Sequence, residues 1–149
     1  MKKYLFFILL ITLATQMKAQ LPWTIRLGSK IVLQSKGEDE VKNVLSLKNS
    51  QVLKNDLILT YRVKPDEKDW ERTVMIYDPA GVNIAENPVG NTIKRGMVSR
   101  SFTINNKILK ELMAKHKKIK IYFTSIPTDP EKAAVVRVKR VHIFTIAVK

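Results

Sequence analysis

Cysteine is absent from all 149 residues, which excludes disulfides, thiolate metal sites, cysteine nucleophiles and the lipid-modified cysteine of a bacterial lipoprotein. Glycine is scarce, with five residues, and none of them forms a phosphate-cradling loop or a G-x-S-x-G nucleophile elbow. There are two histidines, His116 and His142, at no spacing that suggests shared metal coordination. The first reads as a helix-end residue and the second as a packed strand residue. The acidic clusters Glu38-Asp39-Glu40 and Asp66-Glu67-Asp69 lack calcium-loop spacing and read as solvated turns. The apolar run from Leu5 to Leu13 is broken only by Thr12, yet it falls far short of the ~20 residues a membrane-spanning helix needs. No cofactor and no catalytic motif is legible, so the chain reads as non-catalytic.

What is present begins with a leader. Lys2 and Lys3 make a basic start, Leu5 to Leu13 a short apolar centre, and Ala19-Gln20 a cleavage junction. This is the order of a secretory signal peptide. Met17 stands where a small residue is preferred, so the cut could fall a few residues away. An Ala-Gln junction behind a Lys-Lys start resembles the leaders of one group of Gram-negative bacteria, a resemblance confined to the leader. The expected organisation is a signal peptide over 1–19 and one domain over 20–149. The expected destination is the periplasm or the cell exterior. A cysteine-free exported domain of that length must be stable through its core alone, and it can bury about two-thirds of its unfolded surface.

Charge is lopsided. The chain carries 27 basic and 13 acidic residues. Lys2, Lys3 and Lys18 belong to the leader, which leaves 24 against 13 and a net charge of +11. Such a surface attracts anionic glycans, lipid head groups or acidic envelope proteins. Nucleic acid is demoted, because export routes the chain away from it. A plainer function of the excess lysine is solubility.

Strand periodicity dominates the remainder. Ile25, Leu27, Ile31 and Leu33 alternate around a bend at Gly28-Ser29-Lys30, and Val41, Leu45 and Leu47 resume the period of two. Leu57, Leu59, Tyr61 and Val63 form the cleanest alternation, with Ile58, Thr60 and Arg62 opposite. Arg72 to Tyr77 is a strand closed by Asp78-Pro79-Ala80-Gly81, a strong turn signal. Residues 82–96 read as a long loop or an edge strand, and Val98 to Ile104 as a strand with Phe102 and Ile104 inward.

The period then changes. Asn105-Asn106 can cap a helix on which Ile108, Leu109, Leu112 and Met113 share a face. Lysines at its end suit the negative pole of the helix dipole. Two long strands follow, Lys118 to Ile126 and Val135 to Val148, joined by a turn at Pro127-Thr128-Asp129-Pro130. Apolar residues on both faces of Val141 to Val148 predict a central strand covered on two sides. The expected fold is mainly β: an antiparallel β-sandwich of about 7–8 strands with one short helix, about 106–116, between late strands.

The register of the final hairpin can be argued, because a one-residue slip flips every side chain. Like faces stay together if Ile121 opposes Arg140, Phe123 opposes Val138 and Ser125 opposes Val136. That register sets Arg140 and His142 on the inner face, and burying an unpaired charge is costly. A bulge at Lys139-Arg140 is therefore expected to turn Arg140 outward, the alternative being a carboxylate partner such as Glu71 or Asp78. On the outer face Tyr122 would sit between Arg137 and Lys139, with Lys118 and Lys120 nearby. Cations around an aromatic platform suit a polyanion or glycan; the alternative is a set of solvated cations guarding a sheet against aggregation. Trp23 and Trp70 could stack on sugars if exposed, although tryptophan is usually buried.

Three functions fit this reading. The foremost is an exported binding protein whose candidate ligand-binding residues are Lys118, Lys120, Tyr122, Arg137 and Lys139. A structural accessory subunit of an envelope assembly is the second. The third is a hydrolase with paired carboxylates drawn from separate strands.

Overall fold

The structure is a computed structural model that describes residues 23–35, 37–48, 50, 54–62, 69–88, 90–94 and 97–148, with the side chains of 87–98 outside the description. The proposed leader lies outside the described residues. Among the described residues, ten strands and two helices with full bounds follow in the order β1 (Trp23–Leu27), β2 (Lys30–Ser35), β3 (Val44–Leu47), β4 (Leu57–Arg62), β5 (Trp70–Tyr77), β6 (Asn83–Pro88), β7 (Gly90–Lys94), β8 (Met97–Ile104), α1 (Asn106–Lys115), β9 (Lys118–Pro127), α2 (Pro130–Val135) and β10 (Val141–Val148). They form a β-sandwich of two five-stranded sheets, ordered β2-β1-β4-β8-β7 and β3-β10-β9-β5-β6. All pairings are antiparallel except β3 with β10, which run parallel.

Alternation explains which face of each strand turns inward. Trp23, Ile25 and Leu27 of β1, Leu57, Leu59 and Tyr61 of β4, and Phe102 and Ile104 of β8 are buried from the first sheet. Leu45, Leu47, Val74, Ile76, Ile119, Ile121, Phe144 and Ile146 meet them from the second, in one continuous core. Each fully buried aliphatic side chain gains about 1.5–3 kcal/mol on leaving water, and this supplies stability that disulfides would otherwise lend. β10 lies between β3 and β9, and His142 to Ile146 are all buried, in agreement with the central strand expected there.

Helix α1 carries the chain from the first sheet to the second and closes one end of the core. Its cap is Asn105, whose side chain accepts from the Ile108 amide at 2.9 Å. Asp56 adds a second cap across the fold, accepting from the Asn106 amide at 2.8 Å. A carboxylate there complements the positive helix pole. Leu109 and Met113 are buried, Leu112 is partly buried, and Ile108 points outward. At the opposite end of the strands Trp23 stacks on Tyr61 with 4.4 Å between ring centroids, and Phe123 meets both edge-on. Trp23 is thus a core residue, and Trp70 is half-buried at the start of β5.

Several expectations change. Residues 82–96, read as a long loop or a short edge strand, supply two edge strands, β7 on the first sheet and β6 on the second. Among the described residues this raises the strand count to ten, against the 7–8 expected. Ile31 is 45% exposed, because the β1–β2 register shifts between Ile25 and Arg26 and reverses the parity of the residues beyond. Val41 sits exposed in a turn rather than inside.

The largest change concerns Val135 to Val148. Asp129 accepts from the Glu131 and Lys132 amides, Pro130 occupies the first turn, and a helix runs to Val135. Residues 136–140 carry no ladder, and β10 begins at Val141. Proline suits that helical position because its missing N–H would have no intrahelical partner there anyway.

Candidate functional site

The β9–β10 register differs from the one expected, and it redraws the site. Val141 pairs with Phe123 and His142 with Tyr122; after a shift at Ile143, Phe144 pairs with Ile121 and Thr145 with Lys120. On the other side of β9, Met75 pairs with Tyr122 and Tyr77 with Lys120. The outer face of the second sheet therefore gathers Met75 and Tyr77 from β5, Lys120 and Tyr122 from β9, and His142 and Thr145 from β10.

Arg137 and Lys139, expected opposite Tyr122, lie in the segment before β10 and pair with no strand. Both are exposed, and Lys139 donates to Glu38 Oε1 at 2.7 Å. Lys118 is exposed at the start of β9, opposite Ala147, on the same outer face as Lys120 and Tyr122. The structure thus brings Lys118, Lys120 and Tyr122 together and sets Arg137 and Lys139 apart from that ladder. The bulge expected at Lys139-Arg140 falls instead between His142 and Phe144. Arg140 precedes the strand and is exposed, so its charge never has to be buried.

Arg140 is the cation that Tyr122 meets. Its guanidinium carbon lies 4.7 Å from the Tyr77 ring centroid and 4.9 Å from that of Tyr122. The two rings meet edge to face at 5.2 Å, and Tyr122 meets the His142 ring likewise at 5.3 Å. A hydrogen bond to Tyr77 raises the Arg140 pKa further above its ordinary value. A guanidinium on two aromatic rings is held in place, and beyond the bond to Tyr77 it keeps further donors for a ligand.

The turn between β2 and β3 reaches over the same face. Glu40 accepts from the Tyr122 hydroxyl at 3.1 Å through Oε1 and from Lys120 Nζ at 2.9 Å through Oε2. The Lys120 hydrogen bond holds the Glu40 carboxyl below its usual range, and Glu40 in turn raises Lys120. Burial first, and then the bond to Glu40, push the Tyr122 phenol up. Exposed pairs of this kind contribute only ~0–1 kcal/mol, so the Glu40 contact is weak enough to be replaced.

Two anchors fix the turn beneath Glu40. Asp39 accepts from the Val41 and Lys42 amides, and these bonds, the Lys42 amide foremost, hold its carboxyl below the usual value. Asn43 is buried and donates to Ser35 Oγ at 3.0 Å and to the Gly37 carbonyl at 2.7 Å. Its own carbonyl accepts from the Thr145 amide at 2.8 Å. Read from sequence, the acidic cluster is a solvated turn, and neither Glu40 nor Asn43 has a place in the site. Glu40 is 80 residues from Lys120 in the chain, and no local signal links them.

His142 is 4% exposed, with Nε2 3.0 Å from Thr145 Oγ1. Burial lowers its pKa, so the ring is neutral at neutral pH. Two arginines also lie inside the fold. Arg72 and Arg100 are both buried; Arg100 pairs with Tyr61, and the Arg72 guanidinium lies 6.0 Å from the Tyr61 ring.

Chemically, the outer face offers cationic and hydroxyl donors on an aromatic base. Among the described residues the buried polar side chains are Ser35, Asn43, Arg72, Arg100, His142 and Thr145. No group of three or more His, Asp and Glu among the described residues could hold a metal ion, and no described helix is long and apolar enough to cross a membrane. Compared with known proteins, the chain matches no protein-family model and no curated protein sequence.

Proposed function

We propose that the chain is an exported, non-catalytic binding protein of the cell envelope, and that the outer face of the second sheet takes an anionic polymer or glycan. Export rests on the order of the leader, from Lys2-Lys3 through Leu5–Leu13 to Ala19-Gln20. Attraction to polyanions rests on a net charge of +11 beyond it. The observation that carries the reading is Arg140 seated on Tyr77 and Tyr122 beside Lys120. General solubility would be served equally well by cations spread at random. It gives no reason for a guanidinium to be held on two rings within reach of a second cation.

The test is binding to immobilised polygalacturonate at physiological ionic strength. Hydrogen bonds from charged groups are worth about 1.5–3 kcal/mol each, and 1.4 kcal/mol is a tenfold change in affinity. The double variant Arg140→Ala with Lys120→Ala is expected to weaken binding by about tenfold or more. Lys54→Ala with Lys107→Ala removes the same charge from exposed positions elsewhere and is expected to stay within about twofold of the parent. Equal losses from both pairs would show that net charge alone drives retention, and the reading would fall.

A further inference from the structure

We infer that Glu40 is a built-in competitor for this site: the face reads a carboxylate-bearing polymer, of the uronic-acid class, whose carboxylate replaces that of Glu40. The inference rests on the binding role proposed above and adds to it the ligand chemistry and a regulatory contact.

The argument begins with the two oxygens of Glu40. One accepts from the neutral Tyr122 hydroxyl and the other from the Lys120 ammonium, with the Arg140 guanidinium on the ring of the same tyrosine. The face therefore already holds a planar carboxylate through one donor on each oxygen. A phenol is a neutral donor, so it favours an acceptor basic enough to reward it. A carboxylate meets that requirement, and the weakly basic oxygens of a sulfate ester meet it less well. Planar two-oxygen groups also suit a guanidinium such as that of Arg140.

The mounting of Glu40 allows release without unfolding. The Asn43 anchor is buried, whereas the Glu40 side chain is half exposed in a turn and touches the sheet through its carboxylate. Lys139 and Glu38 hold the same turn through a second pair, whose lysine side chain is 71% exposed. Exposed ion pairs open readily. A polymer presenting many carboxylates at high local density can capture the open state, whereas a single free carboxylate competes poorly with one tethered nearby.

The experiment compares the parent protein with Glu40→Gln, Glu40→Ala and Glu111→Gln, each titrated with polygalacturonate and with dextran sulfate. Glu111 is an exposed residue of α1, and its substitution adds the same net charge away from the face. Apparent affinity scales with the open fraction of the site, so removing a competitor as weak as an exposed pair should tighten polygalacturonate binding about three- to fivefold. Glu111→Gln should leave it nearly unchanged, and dextran sulfate should bind more weakly than polygalacturonate in every case. If parent binding depends on Arg140 and Lys120 yet both Glu40 variants match the parent, the competitor role is overturned while the binding role stands. An equal gain from Glu111→Gln overturns it likewise, as an effect of net charge. Dextran sulfate binding as tightly as polygalacturonate overturns the carboxylate assignment. If neither polymer binding responds to the Arg140 and Lys120 substitutions, the binding role itself is refuted.

Discussion

At the scale of single residues, His142 carries a consequence that pH reveals. Its ring is buried between the Tyr122 edge and Thr145, and burial lowers its pKa below the ordinary 6.5. The unfolded chain therefore takes up a proton near pH 6.5, whereas the folded protein resists it until lower pH. The stability this confers is complete above 6.5 and is lost as pH falls below it. Urea denaturation at pH 7.5, 6.0 and 5.0 should show a declining midpoint, and His142→Phe should flatten the decline in that window. A slope unchanged by His142→Phe would place the proton uptake elsewhere. The same neighbourhood shows why residue order does not reveal that Arg140, rather than Arg137 or Lys139, is the cation on the Tyr122 ring. Which side chain stands opposite a strand residue depends on where its partner strand begins, and the six residues of α2 delay the start of β10 to Val141.

Among the elements, the two helices have similar capping chemistry and unequal energetic roles. Both begin at a side-chain oxygen, from Asn105 in one case and Asp129 in the other. α1 buries Leu109 and Met113 in the core, whereas no residue of α2 is buried. Leu109→Ala should cost about 2–5 kcal/mol through lost transfer energy and a residual cavity, and Asn105→Ala about 1 kcal/mol. Asp129→Ala should cost no more than ~1 kcal/mol, because fraying α2 opens no core. Equilibrium urea unfolding measures all three; a loss for Asp129→Ala as large as that for Leu109→Ala would contradict this division. α1 was legible because an Asn cap precedes four apolar residues at helical spacing. α2 left a fainter trace: an Asp cap, a proline at the first turn, and Glu131, Lys132, Ala133 and Ala134 as helix formers. The β-branched residues after it outweighed that trace.

For the whole molecule, the proposed compartment has its own check. Expressed with residues 1–19 in a Gram-negative host, the chain should be recovered outside the cytoplasm with its N-terminus near Gln20. Intact-mass measurement decides this, and a soluble cytoplasmic product that retains the leader would refute export. The mainly β character, the inward faces of β1, β4, β8 and β9, the capped helix over about 106–116 and the excess of positive charge are all present in the residue order. Alternation and capping are local: backbone sterics and hydrogen-bonding groups within a few residues fix them. Tertiary structure decided what local rules leave open. It placed β3 parallel to β10, set the β9–β10 register, and carried Glu40 onto Lys120 and Tyr122 and Arg140 onto Tyr77 and Tyr122. Those choices depend on turn lengths and on burying two sheet faces against each other, and both are settled by contacts between residues far apart in the chain.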